Sequence, residues 1–184
     1  MRASVSRVSR SREQLPFTGR PAAVLLPIFE EDGEARIVLT RRAATLRSHT
    51  SEVAFPGGRI EDGETAVAAA LREAQEEVAL DPASVEVIGE LTPLATLSAS
   101  AGITPVVGLL ATRPVLVADP TEVEHIFDVA LADLLADEIF AEERWDTPFG
   151  DDRSINFFHL PDDIVWGATA RILRDLLERV VSVA

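Results

Sequence analysis

A single domain of the α+β class is what this sequence predicts, and three observations carry that expectation. Strand-length apolar runs outnumber helical repeats. The two helical repeats stand apart, one mid-chain and one at the end. No linker, internal repeat or low-complexity tract divides the 184 residues. Pro21 to Phe29 and Ala35 to Thr40 are apolar runs flanking Glu30-Glu31-Asp32-Gly33-Glu34, whose Asp-Gly pair signals a tight turn, so the two runs form a hairpin. Glu52 to Phe55 reads as a short strand that stops at Pro56-Gly57-Gly58. Thr65 to Ala79 reads as a helix, because Val67, Ala70, Leu71, Ala74 and Val78 recur at the spacing of one buried stripe. Asp81-Pro82 ends it. Strands follow at Val85 to Leu91, Thr104 to Ala111 and Ile126 to Ala130, with a loop over Leu94 to Gly102 and a helical turn over Leu131 to Ala136. Arg153 to Leu160 is a further strand. Val165 to Val181 closes the chain as an amphipathic helix with Ala168, Ile172, Leu173, Leu176 and Val180 on one face. Residues 1–20 are expected to be a flexible tail ahead of a domain spanning 21–184.

Composition narrows the chemistry. The chain carries 31 acidic and 17 basic residues, a formal net charge of -14, with 47% hydrophobic and 26% charged residues. Cysteine is absent, which excludes disulfides, thiolate zinc sites and a cysteine nucleophile. Tyrosine is absent and aromatics are 5%, so a base-stacking platform is not expected. An acidic surface repels nucleic acid, and phosphate chemistry on it calls for bound divalent cations. No stretch approaches the ~18 consecutive apolar residues of a membrane span. Met1 to Arg12 is rich in Ser and Arg without an apolar core, so it is not a secretory signal; an organellar presequence shares that composition, but a frayed tail on a cytoplasmic protein is the expectation. A homodimer is left open.

On the central helix Glu73, Glu76 and Glu77 stand at i, i+3 and i+4, which places three carboxylates on one face. A random cluster of this kind is a solvated acidic face. Here Phe55-Pro56-Gly57-Gly58 lies just upstream, where the backbone can approach a ligand, and hard cations favour clustered oxygen donors on a rigid element. Arg72 is placed to pair with Glu76 or Glu64.

Gly58, Glu64, Arg72, Glu73, Glu76, Glu77 and Leu80 resemble the Nudix box, G-x5-E-x7-R-E-U-x-E-E-x-G-U with U a bulky aliphatic residue. Ala74 and Ala79 depart from it, and Ala79 in place of glycine requires the helix to end without a positive φ. The resemblance implies an α/β/α sandwich around a mixed sheet. It also implies hydrolysis of a nucleoside diphosphate linked to another moiety. Glu73, Glu76, Glu77 and the Gly57 carbonyl would hold Mg²⁺ or Mn²⁺, which clamp the diphosphate and activate a water. Glu64 and Arg72 would form a bracing salt bridge. The family often takes its general base from a loop before a late strand, where Glu122 stands, with Glu124 as the alternative.

Upstream, Leu39-Thr40-Arg41-Arg42 through Leu46-Arg47-Ser48-His49 to Val53-Ala54-Phe55-Pro56-Gly57-Gly58 resembles the extra motif of the coenzyme A pyrophosphatase branch, with Ala43, Ser51 and Glu61 as departures. Ile164 to Ile172 resembles that branch's C-terminal Trp-Gly-x-Thr-Ala segment. The implied substrate is coenzyme A or a thioester, cut to 3′,5′-ADP and a 4′-phosphopantetheine species. Arg42, Arg47 and His49 supply local cations for its phosphates. The alternatives are a Nudix enzyme for ADP-ribose or a reduced nicotinamide dinucleotide, and a non-catalytic nucleotide-binding module. His125 and His159 are expected to be structural, and Trp145 and Trp166 to be core. Ser98 and Ser100 lack the G-x-S-x-G setting of a serine nucleophile.

Overall fold

The structure is a computed structural model that describes residues 19–44, 51–96, 101–148 and 150–182. Arg47, His49, Ser98, Ser100 and all but the last two residues of the expected tail lie outside the described residues. Strands β1 (Arg20–Glu31) and β2 (Glu34–Arg42) form the expected antiparallel hairpin. Asp32 and Gly33 both take positive φ, 51° and 82°, the backbone of a hairpin turn whose twist matches that of the strands. Around this pair are β3 (Val53–Ala54), β4 (Gly57–Arg59), β5 (Val85–Glu90), β6 (Leu94–Ala95), β7 (Ala101–Leu110) and β8 (Val123–Ala130). They form one mixed sheet of order β3-β2-β1-β7-β5, with β4 on β1, β6 on β7 and β8 on β2. Among the described residues the single parallel ladder is β1 with β7, the two strands apolar on both faces.

That two-faced burial explains the layers. Ala23, Leu25 and Phe29 of β1 point to one side and Leu26 and Ile28 to the other, with the same alternation at Val38 against Ile37 and Leu39 on β2. The first face packs under helix α1 (Ala66–Val78), through Ala69, Ala70, Ala74 and Val78. The second packs under helix α2 (Gly167–Val181), through Ala170, Ile172, Leu173, Leu176 and Leu177. Phe158 and Val165 join this second core from a smaller antiparallel sheet of β9 (Phe140–Thr147), β10 (Gly150–His159) and β11 (Ile164–Trp166). The result is one α/β/α sandwich of the α+β class.

Several local expectations are corrected. The glycine turn continues as β4, because the N-terminal half of β1 extends beyond the hairpin and offers Ala22 to Val24 as partners. Leu94–Ala95, expected as loop, pairs with Gly102 and Ile103. Ile164 to Trp166 is a strand, and α2 starts only at Gly167. Trp145 is not core: it is 41% exposed on β9 and donates its indole N–H to Glu143. Helix α1 begins where Thr65 accepts from the Ala68 amide, 3.1 Å. It ends, contrary to expectation, through Ala79 in the left-handed region, φ 55°, ψ 28°. That turn lets the Ala79 and Leu80 amides bond back to the carbonyls of Gln75 and Ala74, at 3.0 and 3.3 Å. An alanine held there carries strain that glycine lacks. Replacing Ala79 by glycine is therefore expected to stabilise the protein by about 1 kcal/mol, a rise in Tm of about 2–4 °C by calorimetry.

Candidate active site

The site is built where the N-terminal half of β1, strand β4 and helix α1 meet. A Cβ on Gly57 would overlap the Ala23 carbonyl and Val24 Cα of β1, and one on Gly58 would overlap the Glu73 carboxylate. Two residues without side chains thus bring backbone against the acidic face of α1. Glu77, 2% exposed, accepts from the Gly57 amide at 3.0 Å, and the Arg42 guanidinium from the end of β2 lies 3.4 Å from its other oxygen. Burial pushes the Glu77 carboxyl from its ordinary 4.5 up to about 7, against the lowering by the Gly57 amide and Arg42. Burial also raises Glu73 and outweighs its ion pair with Arg72 at 2.8 Å.

Glu122, exposed just before β8, stands near these carboxylates. Its own backbone carbonyl accepts from Ala43 at the end of β2, and the segment before it hangs from the C-terminus of α1 through Val117 to Val78 and Asp119 to Glu77. Its charge raises the proton affinity of both Glu73 and Glu77. Two carboxylates of α1 thus lie at the glycine turn within the electrostatic reach of a third, exposed one before β8, with Arg42 as the cation beside the most buried of them.

Arg72 organises the outer part. It holds Glu64 with two nitrogens at 3.0 and 3.1 Å, Glu73 at 2.8 Å, Glu76 at 3.3 Å and the Arg59 carbonyl at 3.0 Å. Glu64 is held below the usual carboxylate range by Arg72 and then by the Glu61 amide. Glu76 is turned outward, its side chain 60% exposed. The glutamates spaced i, i+3, i+4 therefore divide: Glu73 and Glu77 meet at the glycine turn, while Glu76 lies at its rim. Among the described residues no three acidic or histidine side chains yet converge as closely as a filled cation site requires. The donor set is nonetheless what a hard cation takes, carboxylate oxygens beside close backbone, and the excess negative charge is what it would neutralise.

A family profile of the NUDIX domain matches residues 19–147. The chain belongs to the Nudix hydrolase family. It is an enzyme of that class, a pyrophosphohydrolase family acting on nucleoside diphosphate derivatives. The chain is 39% identical over 172 residues to "Uncharacterized Nudix hydrolase NudL" of Photorhabdus laumondii, covering 91% of this chain and 89% of that protein. It is 38% identical over 186 residues to "Nudix hydrolase 22, chloroplastic" of Arabidopsis thaliana, covering 94% of this chain but 60% of that longer relative. Among solved structures, a MutT/nudix family protein from Enterococcus faecalis superposes with a TM-score of 0.63 at 15% identity, over 92% of this chain and 66% of that one, a likeness of fold.

Sequence reading missed an aromatic groove beside this Nudix site. Trp145, Phe157, His159 and Trp166 line an open cleft of about 800 Å³ that reaches Ser51 and Glu52. The available signal was Trp145 itself, a lone aromatic in the polar run Glu142 to Thr147, where a core position would be flanked by alternating apolar residues. His125 and His159 are exposed, each beside a phenylalanine ring. Among the described residues no helix is long and apolar enough to cross a membrane.

Two outcomes follow. A carboxyl whose folded pKa lies above its unfolded value binds its proton more tightly in the folded state, so the metal-free protein loses stability as pH rises from 4.5 towards about 7. Glu77→Gln removes this cost, on the order of 3 kcal/mol at full ionisation. Its Tm in EDTA should exceed wild type by at least about 3 °C at pH 8, with the gain vanishing near pH 5; a pH-independent difference would contradict the burial argument. Gly58→Ala should leave the fold intact, since only a flexible carboxylate is displaced, yet lower turnover by about 10²-fold or more through misplacement of Glu73.

Proposed function

We propose that this Nudix hydrolase cleaves the diphosphate bond of coenzyme A or its thioesters, releasing 3′,5′-ADP and 4′-phosphopantetheine or its acyl form. The observation that carries the catalytic part is the placing of Glu73 and Glu77 at the Gly57-Gly58 turn, with the charge of Glu122 acting on both. In this reading Glu73, Glu76 and Glu77, with the Gly57 carbonyl, would hold Mg²⁺ or Mn²⁺. When bound, such cations neutralise the diphosphate and lower the pKa of a coordinated water. The chain's own residues do the rest. The glycine turn admits the diphosphate to the carboxylates at backbone distance. Glu64 and Arg72 brace the loop on α1 and hold Glu73 in place. Glu122 takes the proton of the attacking water as general base, and the bridging P–O bond breaks as the new P–O bond forms.

The coenzyme A part is supported by the motif preceding the turn. Its described members frame the site: Arg42 beside Glu77, and Val53 to Phe55 leading into Pro56. Arg47 and His49 are assigned to substrate binding from sequence alone. ADP-ribose and reduced nicotinamide dinucleotides are the competing substrates, and a ligand-binding module without turnover is the competing class. The buried Glu77 carboxylate, compensated only in part by the Gly57 amide and Arg42, favours catalysis over that last reading.

Turnover of coenzyme A in Mg²⁺ or Mn²⁺ should vanish in excess EDTA, and Glu73→Gln should lower it by orders of magnitude with an unchanged circular dichroism spectrum. Glu122→Gln should reduce kcat by ~10²–10⁴-fold. A rate within about twofold of wild type would remove Glu122 from the mechanism. Chromatography of a substrate panel should show 3′,5′-ADP and phosphopantetheine forming together, with coenzyme A preferred over dephospho-coenzyme A and ADP-ribose. Preference for ADP-ribose would overturn the substrate and leave the hydrolase standing.

A further inference from the structure

A second charged site lies between β10 and the first turns of α2. A cavity of about 340 Å³ there is lined by Arg153 and Asn156 of β10, Gly167, Arg171 and Arg174 of α2, and Ala95 of β6. Arg174 is neutralised by Glu142 at 2.6 Å and Glu178 at 2.9 Å. Arg171 donates one N–H to the Ala95 carbonyl at 3.2 Å, and neither it nor Arg153 has a carboxylate partner among the described residues. The Arg171 guanidinium is pushed below its usual proton affinity, first by desolvation and then by the charge of Arg153. In a chain of net charge -14, two arginines that share a cavity with each other rather than with acids carry a repulsion that a bound anion removes. Helix α2 adds the same sign: its first turn holds no acidic residue, and no side chain caps the amides that start at Gly167.

We propose that this cavity binds a compact oxyanion of the phosphate monoester class, held by Arg153 and Arg171. Planar guanidinium forks pair their donors with adjacent phosphate oxygens, and Arg171 keeps donors to spare beyond the one given to Ala95. The site is separate from the carboxylate centre. The row Arg59–Ala22–Ile103–Leu94 crosses the sheet between them in three strand spacings, about 14 Å. The two are nonetheless joined, since Thr169 in the first turn of α2 donates to the Val53 carbonyl at 3.1 Å, on the strand that leads into the glycine turn. The phosphate could belong to the substrate itself or to a separate molecule.

The test is calorimetric titration of inorganic phosphate into the full chain, in EDTA and low salt, where the acidic centre repels the probe. Saturable binding should appear, weaken at least tenfold in Arg153→Gln, which removes no hydrogen bond of the described residues, and disappear in the Arg153→Gln, Arg171→Gln double variant at unchanged Tm. Absence of saturation below about 10 mM, or equal binding by a folded double variant, would overturn the proposal. Because the titration reads no turnover, its failure leaves the proposed hydrolysis untouched. The source of the phosphate is then read from kcat/KM in Mg²⁺. A double variant that loses its preference for coenzyme A over dephospho-coenzyme A places the substrate's own 3′-phosphate there. An unchanged preference together with lost phosphate binding assigns the cavity to a separate anion.

Discussion

Burying the Glu77 carboxylate against a glycine turn is the constraint around which this structure is arranged. A carboxylate 2% exposed needs donors, and the fold supplies two, the Gly57 amide and Arg42. Each has a structural prerequisite. The amide is in reach because β4 lies on the free half of β1, where neither Gly57 nor Gly58 carries a Cβ. Arg42 is in reach because the hairpin is long enough to carry the end of β2 to α1. These two donors offset burial only in part, and the carboxyl remains near pKa 7.

The spacing of charges on α1 resolves into two tasks. Arg72 gathers Glu64, Glu76 and the Arg59 carbonyl into a partly buried network that braces the loop on α1, with Glu76 as its exposed member. Glu73 stands at the boundary, held by Arg72 on one side and desolvated by the glycine turn on the other. Glu77 lies inward of it. Negative charge that is braced at the rim and under-compensated inside is the arrangement that a cation would complete.

The helix, the hairpin and the acidic face were legible in the sequence because each is encoded within one short continuous stretch of chain. Asp32-Gly33 selects its own turn, and the spacing of Val67 to Val78 selects its own buried face. What was not legible depended on partners distant in the chain. Gly57 to Arg59 is a strand only because β1 overhangs the hairpin, and Ile164 to Trp166 is one only because β10 accepts it. Ala79 is a different case: it takes a positive φ because the amides at the helix end find the carbonyls of Gln75 and Ala74 that way, a local demand stronger than alanine's own preference. Glu122 was placed by position in the chain, and its charge does reach Glu73 and Glu77, whereas Arg153 and Arg171, 18 residues apart in sequence, gave no motif at all.

If the buried carboxylate is the cation's ligand, binding must displace its proton. Titrating Mn²⁺ into the protein at pH 7 in buffers of different ionisation enthalpy measures that displacement directly. With the Glu77 carboxyl near 7, about half a proton should be released per ion bound at that pH, falling towards zero at pH 9 and absent from Glu77→Gln. Tight Mn²⁺ binding with no proton release, or with the same release from Glu77→Gln, would contradict the account.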